Sequence, residues 1–276
     1  MTKSKSPIVS NYWPMIRAVG LTLGLMGIVA FALEMWLPAE LWVGMPLGKG
    51  GQFAEYCELN RMDQLIRQPI NSWSNFIYVF LGITAWQYHP QAKGQFGIIS
   101  FPNYAKVIAI SFFLLCLGSF FYHASLTEIG QRLDMTTTYG LVSSILAGLI
   151  YRLGEDKWWK NTPRNQGILV GFLILAYLLF YTFMWEIPDT LVLPLMMALV
   201  AILSLLIWLQ KRNRVKVKWL ILGIMLIGIS GIFREMDLQK VACGPESWFQ
   251  LHALWHVFTG LSGFASFLFL GTGKKM

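Results

Sequence analysis

Eight long apolar stretches dominate this chain of 276 residues and restrict what it can fold into. A helix that crosses a membrane needs roughly 17–25 mainly apolar residues, and each stretch is about that long. Only 13% of the residues are charged, against roughly 25% in an average soluble domain. The sequence therefore predicts an all-α, polytopic membrane helix bundle with eight crossings. The predicted crossings lie at 14–37, 72–88, 105–123, 135–151, 167–185, 190–209, 217–233 and 249–271.

Other protein classes are excluded by the same features. A membrane β-barrel would show short segments of alternating polarity, whereas these apolar runs are continuous. The chain has three cysteines, too few for a secreted disulfide scaffold of this length.

The distribution of lysine and arginine predicts the orientation of the bundle. With the N-terminus in the cytoplasm, 16 of the 22 basic residues fall in inner segments and six in outer segments. This is the bias of the positive-inside rule, so we expect both termini in the cytoplasm. The net charge of +8 then reflects topology, and no basic patch accompanies a nucleic-acid recognition motif.

The first apolar stretch has two interpretations. Two lysines before it and the Ala-Phe-Ala sequence at 30–32 imitate a signal peptide with its cleavage site. The apolar run continues to Leu37, which favours an uncleaved anchor, while cleavage would leave seven helices in the same orientation. We expect residues 1–40 to form a cytoplasmic N-terminus with one extra transmembrane helix, and residues 41–276 to form a seven-helix domain.

Polar residues at membrane depth are costly and are therefore candidates for function. His252 and His256 are spaced four apart in HALWH, which places them on one face of the last helix. His123 ends the third helix in GSFFYH, with Ser119 one turn earlier, and Asp134 opens the fourth helix. The alternating directions of the helices bring all five residues to the outer side of the membrane.

Three neutral imidazoles with an open fourth position are typical of a catalytic zinc site. Zinc lowers the pKa of its bound water towards about 7 and polarises a carbonyl. In such a site Asp134 could carry the proton, and Ser119 could hydrogen-bond the water or the developing oxyanion. Hydrogen bonds between helices and a haem held by two histidines are the alternatives, although a haem gives Asp134 and Ser119 no role.

These motifs resemble a known family. The SxxxH of GSFFYH, the following Gln131 and Asp134, and the late HxxxH resemble the alkaline ceramidase family. That family belongs to the CREST superfamily of seven-helix membrane hydrolases. A second match is EYCELN followed by NSWSNFIY, which resembles the segment leading into the family's first core helix. The resemblance covers about residues 55–271, so the first predicted helix is extra.

The resemblance implies an activity and a role for each polar residue. The implied zinc ligands are His123, His252 and His256, the implied proton-transfer residue is Asp134, and Ser119 matches the serine beside the zinc. The implied function is that of a zinc-dependent lipid amidase, which hydrolyses ceramide-like sphingolipids to a fatty acid and a long-chain base. Its partner would be a membrane lipid, with no nucleic acid and no obligate protein partner. A non-catalytic receptor with structural zinc and an ester-cleaving hydrolase of the same superfamily are the alternatives.

The family also has a calcium site in the acidic segment before its first core helix. The groups that match it here are Glu55, the Tyr56 backbone, Glu58, Asn60 and Gln68. Gln68 stands where the family has an acidic ligand, so a calcium ion would lose one carboxylate. A solvated acidic loop is the alternative interpretation of this segment.

Two of the cysteines fall on the predicted outer side. The family has a comparable luminal pair, and an oxidising compartment favours disulfides, so we expect a bond between Cys57 and Cys243. The third, Cys116, lies inside a predicted helix and is interpreted as a small core residue.

Overall fold

The computed structural model describes residues 13–91, 103–155, 157–159, 162–212 and 215–271. Helices make up 77% of it, and no strand occurs among the described residues, where a single isolated bridge joins Leu47 to Thr127. The predicted all-helical fold is confirmed. Some of the basic residues used for the orientation lie outside the described residues, namely Lys3, Lys5, Lys93, Lys160, Arg214, Lys274 and Lys275.

Ten α-helices occur in the described part of the chain. They are α1 Trp13–Trp36, α2 Lys49–Phe53, α3 Pro69–Ser74, α4 Phe76–Gln91, α5 Tyr104–Ser125, α6 Glu128–Gly154, α7 Pro163–Thr182, α8 Asp189–Gln210, α9 Val217–Leu238 and α10 Leu251–Gly271. A short 3-10 helix, Ala39–Trp42, precedes α2. Proline begins both α3 and α7, where its missing N–H costs no helical hydrogen bond.

Seven of these helices, α1 and α5 to α10, are long and apolar enough to cross a membrane. The chain is thus an all-helical protein that fits a multi-pass membrane bundle. The predicted crossing at 72–88 is divided between α3 and α4 at Asn75, whose side chain donates to the carbonyl oxygen of Asn71 at 2.8 Å. α4 has 16 residues and rises about 24 Å, less than the roughly 30 Å of a hydrocarbon core. The eighth crossing therefore stays a prediction.

The helices differ in how much of their surface the protein itself covers. More than half of the apolar window is buried in α5, α6 and α10, against less than a fifth in α1, α7, α8 and α9. These last four helices expose leucine, isoleucine and phenylalanine, as expected of helices surrounded by lipid. α6 instead buries small residues such as Ser144, Ala147 and Gly148, which allow close helix packing. α5, α6 and α10 form the centre of the bundle.

The connection between α5 and α6 brings the end of one helix beside the start of the other. Leu126 adopts a left-handed conformation with φ of 51°. The next residue, Thr127, caps α6 by accepting a hydrogen bond from the Gly130 N–H at 3.2 Å. The two helices thus form a hairpin whose turn lies at the end of the bundle where α10 begins.

The segment between α1 and α4 closes this same end of the bundle. The Gly48 N–H donates to the Leu126 carbonyl in the α5–α6 turn at 2.9 Å. The Leu59 N–H donates to the Pro245 carbonyl in the α9–α10 connection, also at 2.9 Å. The segment is therefore held to both turns that carry predicted site residues.

α5 and α6 approach each other closely at Gly118. A Cβ at this position would lie 2.8 Å from the carbonyl oxygen of Leu133 on α6. Because that oxygen belongs to the backbone, rotation of a side chain could not relieve the contact. The glycine thus sets the separation of the two helices at the level of Ser119 and Asp134, the residues that follow Gly118 and Leu133.

We expect Gly118→Ala to lower the midpoint of thermal unfolding, because the added methyl group must push α5 away from α6. Overpacking of this kind typically costs about 1–3 kcal/mol. Gly167→Ala in α7 is the matched control, since nothing lies within 4 Å of its added Cβ. Unfolding of the purified protein in detergent measures both variants, and equal midpoints would contradict the close approach.

Candidate metal centre and active site

Three histidines meet at the end of the bundle where α10 begins. His123 is in the last turn of α5, while His252 and His256 are in the first two turns of α10. Their ring centroids are between 4.7 and 5.1 Å apart. All three side chains are buried, and one ring nitrogen of each lies within 4.8 Å of the others. The structure thus brings the three predicted metal ligands together, and we call them the histidine cluster.

The ring of His123 is oriented by Gln68. Its Nδ1 lies 2.8 Å from the Gln68 Oε1 atom, a carbonyl oxygen that can only accept, so Nδ1 carries the proton. Nε2 is then the lone-pair nitrogen, and it is buried without a hydrogen-bond partner among the described residues. A buried polar atom without a partner is costly, which favours a ligand at this position.

His256 is oriented in the same way, through two hydrogen bonds. Ser74 Oγ donates to the carbonyl oxygen of Asn71 at 2.8 Å and lies 2.7 Å from His256 Nδ1. Since the hydroxyl proton points to Asn71, the Ser74 oxygen accepts the proton on Nδ1. His256 therefore also keeps Nε2 as its lone-pair nitrogen.

The histidine cluster fits a metal ion. The Nδ1 atom of His252 is buried and has no partner in the described part of the chain. No further histidine, cysteine or acidic residue joins the cluster among the described residues, so a fourth coordination position is open. Imidazole ligands that donate their other N–H to an oxygen acceptor are the usual arrangement around a protein-bound metal. The cluster could thus hold a metal ion, with Gln68 and Ser74 as the orienting groups.

Asp134 and Ser119 face each other across the contact between α5 and α6. Ser119 is buried, and its side chain is close enough to the Asp134 carboxylate to interact with it electrostatically. Ser119 lies one helical turn before His123, which places the pair next to the histidine cluster. The close approach of the helices at Gly118 brings the two side chains together.

Two tyrosine rings to which the sequence gives no role also contact the cluster. The ring centroid of Tyr56 is 4.1 Å from that of His252 and 5.2 Å from that of His123. The Tyr122 ring is 5.2 Å from that of His123 and 6.4 Å from that of Tyr56, and its hydroxyl accepts the Gly50 N–H at 3.0 Å. Tyr56 was expected to contribute only its backbone. Its ring reaches the histidines because the irregular segment after α2 passes over the end of α5.

The residues predicted to hold calcium lie between α2 and α3. Glu58 is buried and accepts hydrogen bonds from the backbone N–H groups of Ile70 at 2.8 Å and Asn71 at 2.7 Å. Burial raises the pKa of its carboxyl, and these two N–H donors oppose the rise. The side chain of Gln68 donates to Asn60 Oδ1 at 2.7 Å. Glu58, Asn60 and Gln68 therefore already have partners within the protein.

A disulfide joins Cys57 to Cys243, with Cα atoms 5.6 Å apart. It ties the segment before α3 to the α9–α10 connection. Because Cys57 follows Tyr56, the bond also holds the Tyr56 ring over the histidine cluster. Cys116 is a free, buried cysteine within α5.

An apolar cavity between α6, α8, α9 and α10 begins one helical turn from the cluster. Thr138 lines it one turn after Asp134, and Trp255 and Thr259 line it on α10 beside the histidines. Most of the remaining lining is leucine, isoleucine, valine, methionine and small residues. The cavity is thus suited to a hydrocarbon chain whose polar end lies near the cluster.

Comparison with known proteins identifies a family for most of the chain. The model of the Ceramidase family matches residues 53–272, which include the histidine cluster, Asp134 and Ser119 and leave out α1. Comparison with curated proteins and with solved structures gives no match. The division of the chain at residue 40 stays a prediction. Because the match extends over far more than half of its length, the chain belongs to the Ceramidase family, as its motifs predict.

Proposed function

We propose that this chain is a zinc-dependent membrane amidase that hydrolyses ceramide-like sphingolipids to a fatty acid and a long-chain base. Membership of the Ceramidase family supports a membrane protein that hydrolyses ceramide. The observation that carries the proposal is the meeting of three buried imidazoles beside the Ser119–Asp134 pair. Two of those imidazoles have their proton position fixed by Gln68 and Ser74.

Zinc is the ion that best suits this set of donors. Three protein ligands and an open position are typical of catalytic zinc, whereas structural zinc usually has four protein ligands. The cluster offers three among the described residues, which argues against a receptor with structural zinc. A zinc ion held by these histidines would supply a Lewis acid for the amide carbonyl, and it would lower the pKa of its bound water to about 7.

Asp134 would carry the proton of the reaction. Its carboxylate takes one proton from the attacking water as the water oxygen bonds to the carbonyl carbon. It then gives that proton to the amide nitrogen as the C–N bond breaks, so that the products are a carboxylic acid and an amine. Ser119 lies beside the carboxylate and would hold it in position. Gln68 and Ser74 keep the rings of His123 and His256 oriented throughout.

The apolar cavity supports a lipid as the substrate. An acyl chain placed between α6, α8, α9 and α10 would be surrounded by apolar side chains. Its carbonyl end would then lie one helical turn away, at the histidine cluster and Asp134. The cavity does not distinguish an amide from an ester, so the amide substrate rests on the family.

We also propose eight crossings, with both termini cytoplasmic and the active site towards the outer side. α3 and α4 together span residues 69–91 and would form the crossing that α4 alone is too short to make. The disulfide lies at the same end of the bundle as the site, which supports an oxidising compartment there. Arg152 and Lys211 lie at the opposite end, where both meet Glu155, as expected of the cytoplasmic side.

The purified protein is expected to hold about one zinc ion per chain and to release fatty acid from ceramide but not from a phospholipid control. His123→Ala and His256→Ala should lose both the metal and the activity, because each removes a ligand. His89→Ala is the matched control, because His89 directly follows the predicted crossing at 72–88 and is expected on the cytoplasmic side, away from the site. Elemental analysis and a fatty-acid release assay measure the two effects.

Three outcomes would count against this proposal. Wild-type protein without zinc, or full activity in His123→Ala and His256→Ala, would overturn the mechanism. Cleavage of ester lipids alone would keep the metal site and replace the substrate.

Asp134→Asn should lower kcat by about 10²–10⁴-fold while leaving the zinc content unchanged, because it removes the proton carrier and no ligand. Ser119→Ala should cause a smaller loss, since the carboxylate remains but is less well held. Steady-state kinetics with parallel zinc analysis separates the two roles. Loss of zinc from Asp134→Asn would instead make Asp134 part of the metal binding.

Cys57→Ala should abolish the difference in gel mobility between the oxidised and reduced protein. Breaking a link between residues 186 apart in sequence should also lower the free energy of unfolding, by about 2–4 kcal/mol. Cys116→Ala, which removes the free cysteine, should keep the wild-type mobility difference. A wild-type protein whose mobility does not change on reduction would contradict the disulfide.

A further inference from the structure

We infer that the segment from Glu55 to Gln68 is fastened to the bundle by groups of the chain itself, an Asn60–Gln68 amide bridge and the Lys240 ammonium, in place of a calcium ion. A calcium ion takes about 6–8 oxygen ligands, usually with several carboxylates. Of the five groups that resemble a calcium site, the structure engages Glu58, Asn60 and Gln68 in other bonds.

The amide bridge gives a partner to the oxygen that Asn60 could offer to a cation. Gln68 is fully buried, and its Nε2 group donates to Asn60 Oδ1 at 2.7 Å. The Asn60 amide nitrogen in turn donates to the Gly50 carbonyl at 2.9 Å. The carbonyl oxygen of Gln68 faces away from Asn60, towards His123 Nδ1. The amide N–H of Gln68 therefore makes the contact with Asn60 Oδ1 that a bound cation would otherwise make.

Glu58 is occupied by the start of α3. Its Oε1 atom accepts the Ile70 N–H at 2.8 Å and lies 3.5 Å from the Arg61 guanidinium. Its Oε2 atom accepts the Asn71 N–H at 2.7 Å. These donors compensate the buried carboxylate, and a helix N-terminus favours negative charge. A calcium ion at Glu58 would have to share these oxygens with the backbone that begins α3, the helix that carries Ser74.

Lys240, just after α9, brings a cation to this segment from another part of the chain. Its ammonium donates to the carbonyl oxygens of Ala54 at 2.8 Å and Glu55 at 3.0 Å. The carboxylates of Glu55 and Asp237 attract it electrostatically. The disulfide between Cys57 and Cys243 joins the acidic segment to the α9–α10 connection beside this contact. Lys240 thus ties the acidic segment to the α9–α10 connection, as a bridging metal ion would.

This chain has Gln68 where the family has an acidic ligand, and this difference fits the arrangement. The Gln68 carbonyl still accepts the proton on His123 Nδ1, as a carboxylate would, but brings no negative charge. Its NH₂ group supplies the donor that replaces the metal ion. Gln68 is therefore a positioning residue for His123 that acts without calcium.

Calcium binding tests this directly on the purified full-length protein. Equilibrium dialysis with radioactive calcium, up to about 1 mM, should detect no stoichiometric binding to the wild type. The midpoint of thermal unfolding should be the same in calcium and in a calcium chelator. One calcium ion bound per chain, or a midpoint that rises with calcium, would overturn the inference.

Two substitutions should create the calcium response that the wild type lacks. Gln68→Glu restores a carboxylate and removes the donor to Asn60, and Lys240→Gln removes the competing ammonium. The double variant should unfold at a lower temperature than the wild type in chelator and recover several degrees in calcium. Lys49→Gln is the matched control, because Lys49 lines the same surface cavity as Lys240 without bonding the segment's carbonyls.

Gln68→Glu alone provides a second variant. If Lys240→Gln prevents folding, Gln68→Glu alone should still show a rise of the unfolding midpoint in calcium. A double variant whose unfolding midpoint does not change with calcium would overturn the inference that Lys240 and Gln68 take the place of the calcium ion. Binding and unfolding are measured without turnover, so this result and that of the ceramide assay can fail independently.

Discussion

Three uncharged imidazole rings, packed together inside an apolar bundle, set the conditions that the surrounding structure has to meet. Each ring has two nitrogens, and a buried nitrogen without a partner costs about 1–3 kcal/mol. Gln68 and Ser74 each satisfy one nitrogen, on His123 and His256. The unpartnered nitrogens of His123 and His252 are then the costly ones, and a shared metal ion would satisfy both.

The acceptors that orient these rings come from the segment before α4, namely Gln68 and the short helix α3, and not from the long helices. Glu58 caps α3, and α3 carries the Ser74 hydroxyl that accepts from His256. The same segment is joined to the α9–α10 connection by the disulfide of Cys57. The long helices thus bring the ligands together, while the segment before α4 decides how their rings are turned.

The long helices and the ligands could be predicted from the sequence because few physical rules determine them. A span needs a minimum length, the direction alternates, and residues four apart share a helical face, which places His123 and His252 at one depth. The break at Asn75 has a signal in the sequence, because the polar residues Ser72, Ser74 and Asn75 precede an apolar run that begins only at Phe76. The contacts of Gln68 and of the Tyr56 ring could not be predicted, since they depend on the path of a segment without a regular period. The motif NSWSN stands out in the sequence, but only the fold shows that its Ser74 side chain reaches His256.

The X-ray absorption spectrum of the purified protein at the zinc edge shows whether the three histidines hold a zinc ion. We expect bound zinc with three imidazole nitrogens at about 2.0–2.1 Å and one further light ligand. It also predicts that His123→Ala loses the zinc signal. A protein without zinc, or zinc bound by sulfur or by four histidine nitrogens, would contradict it.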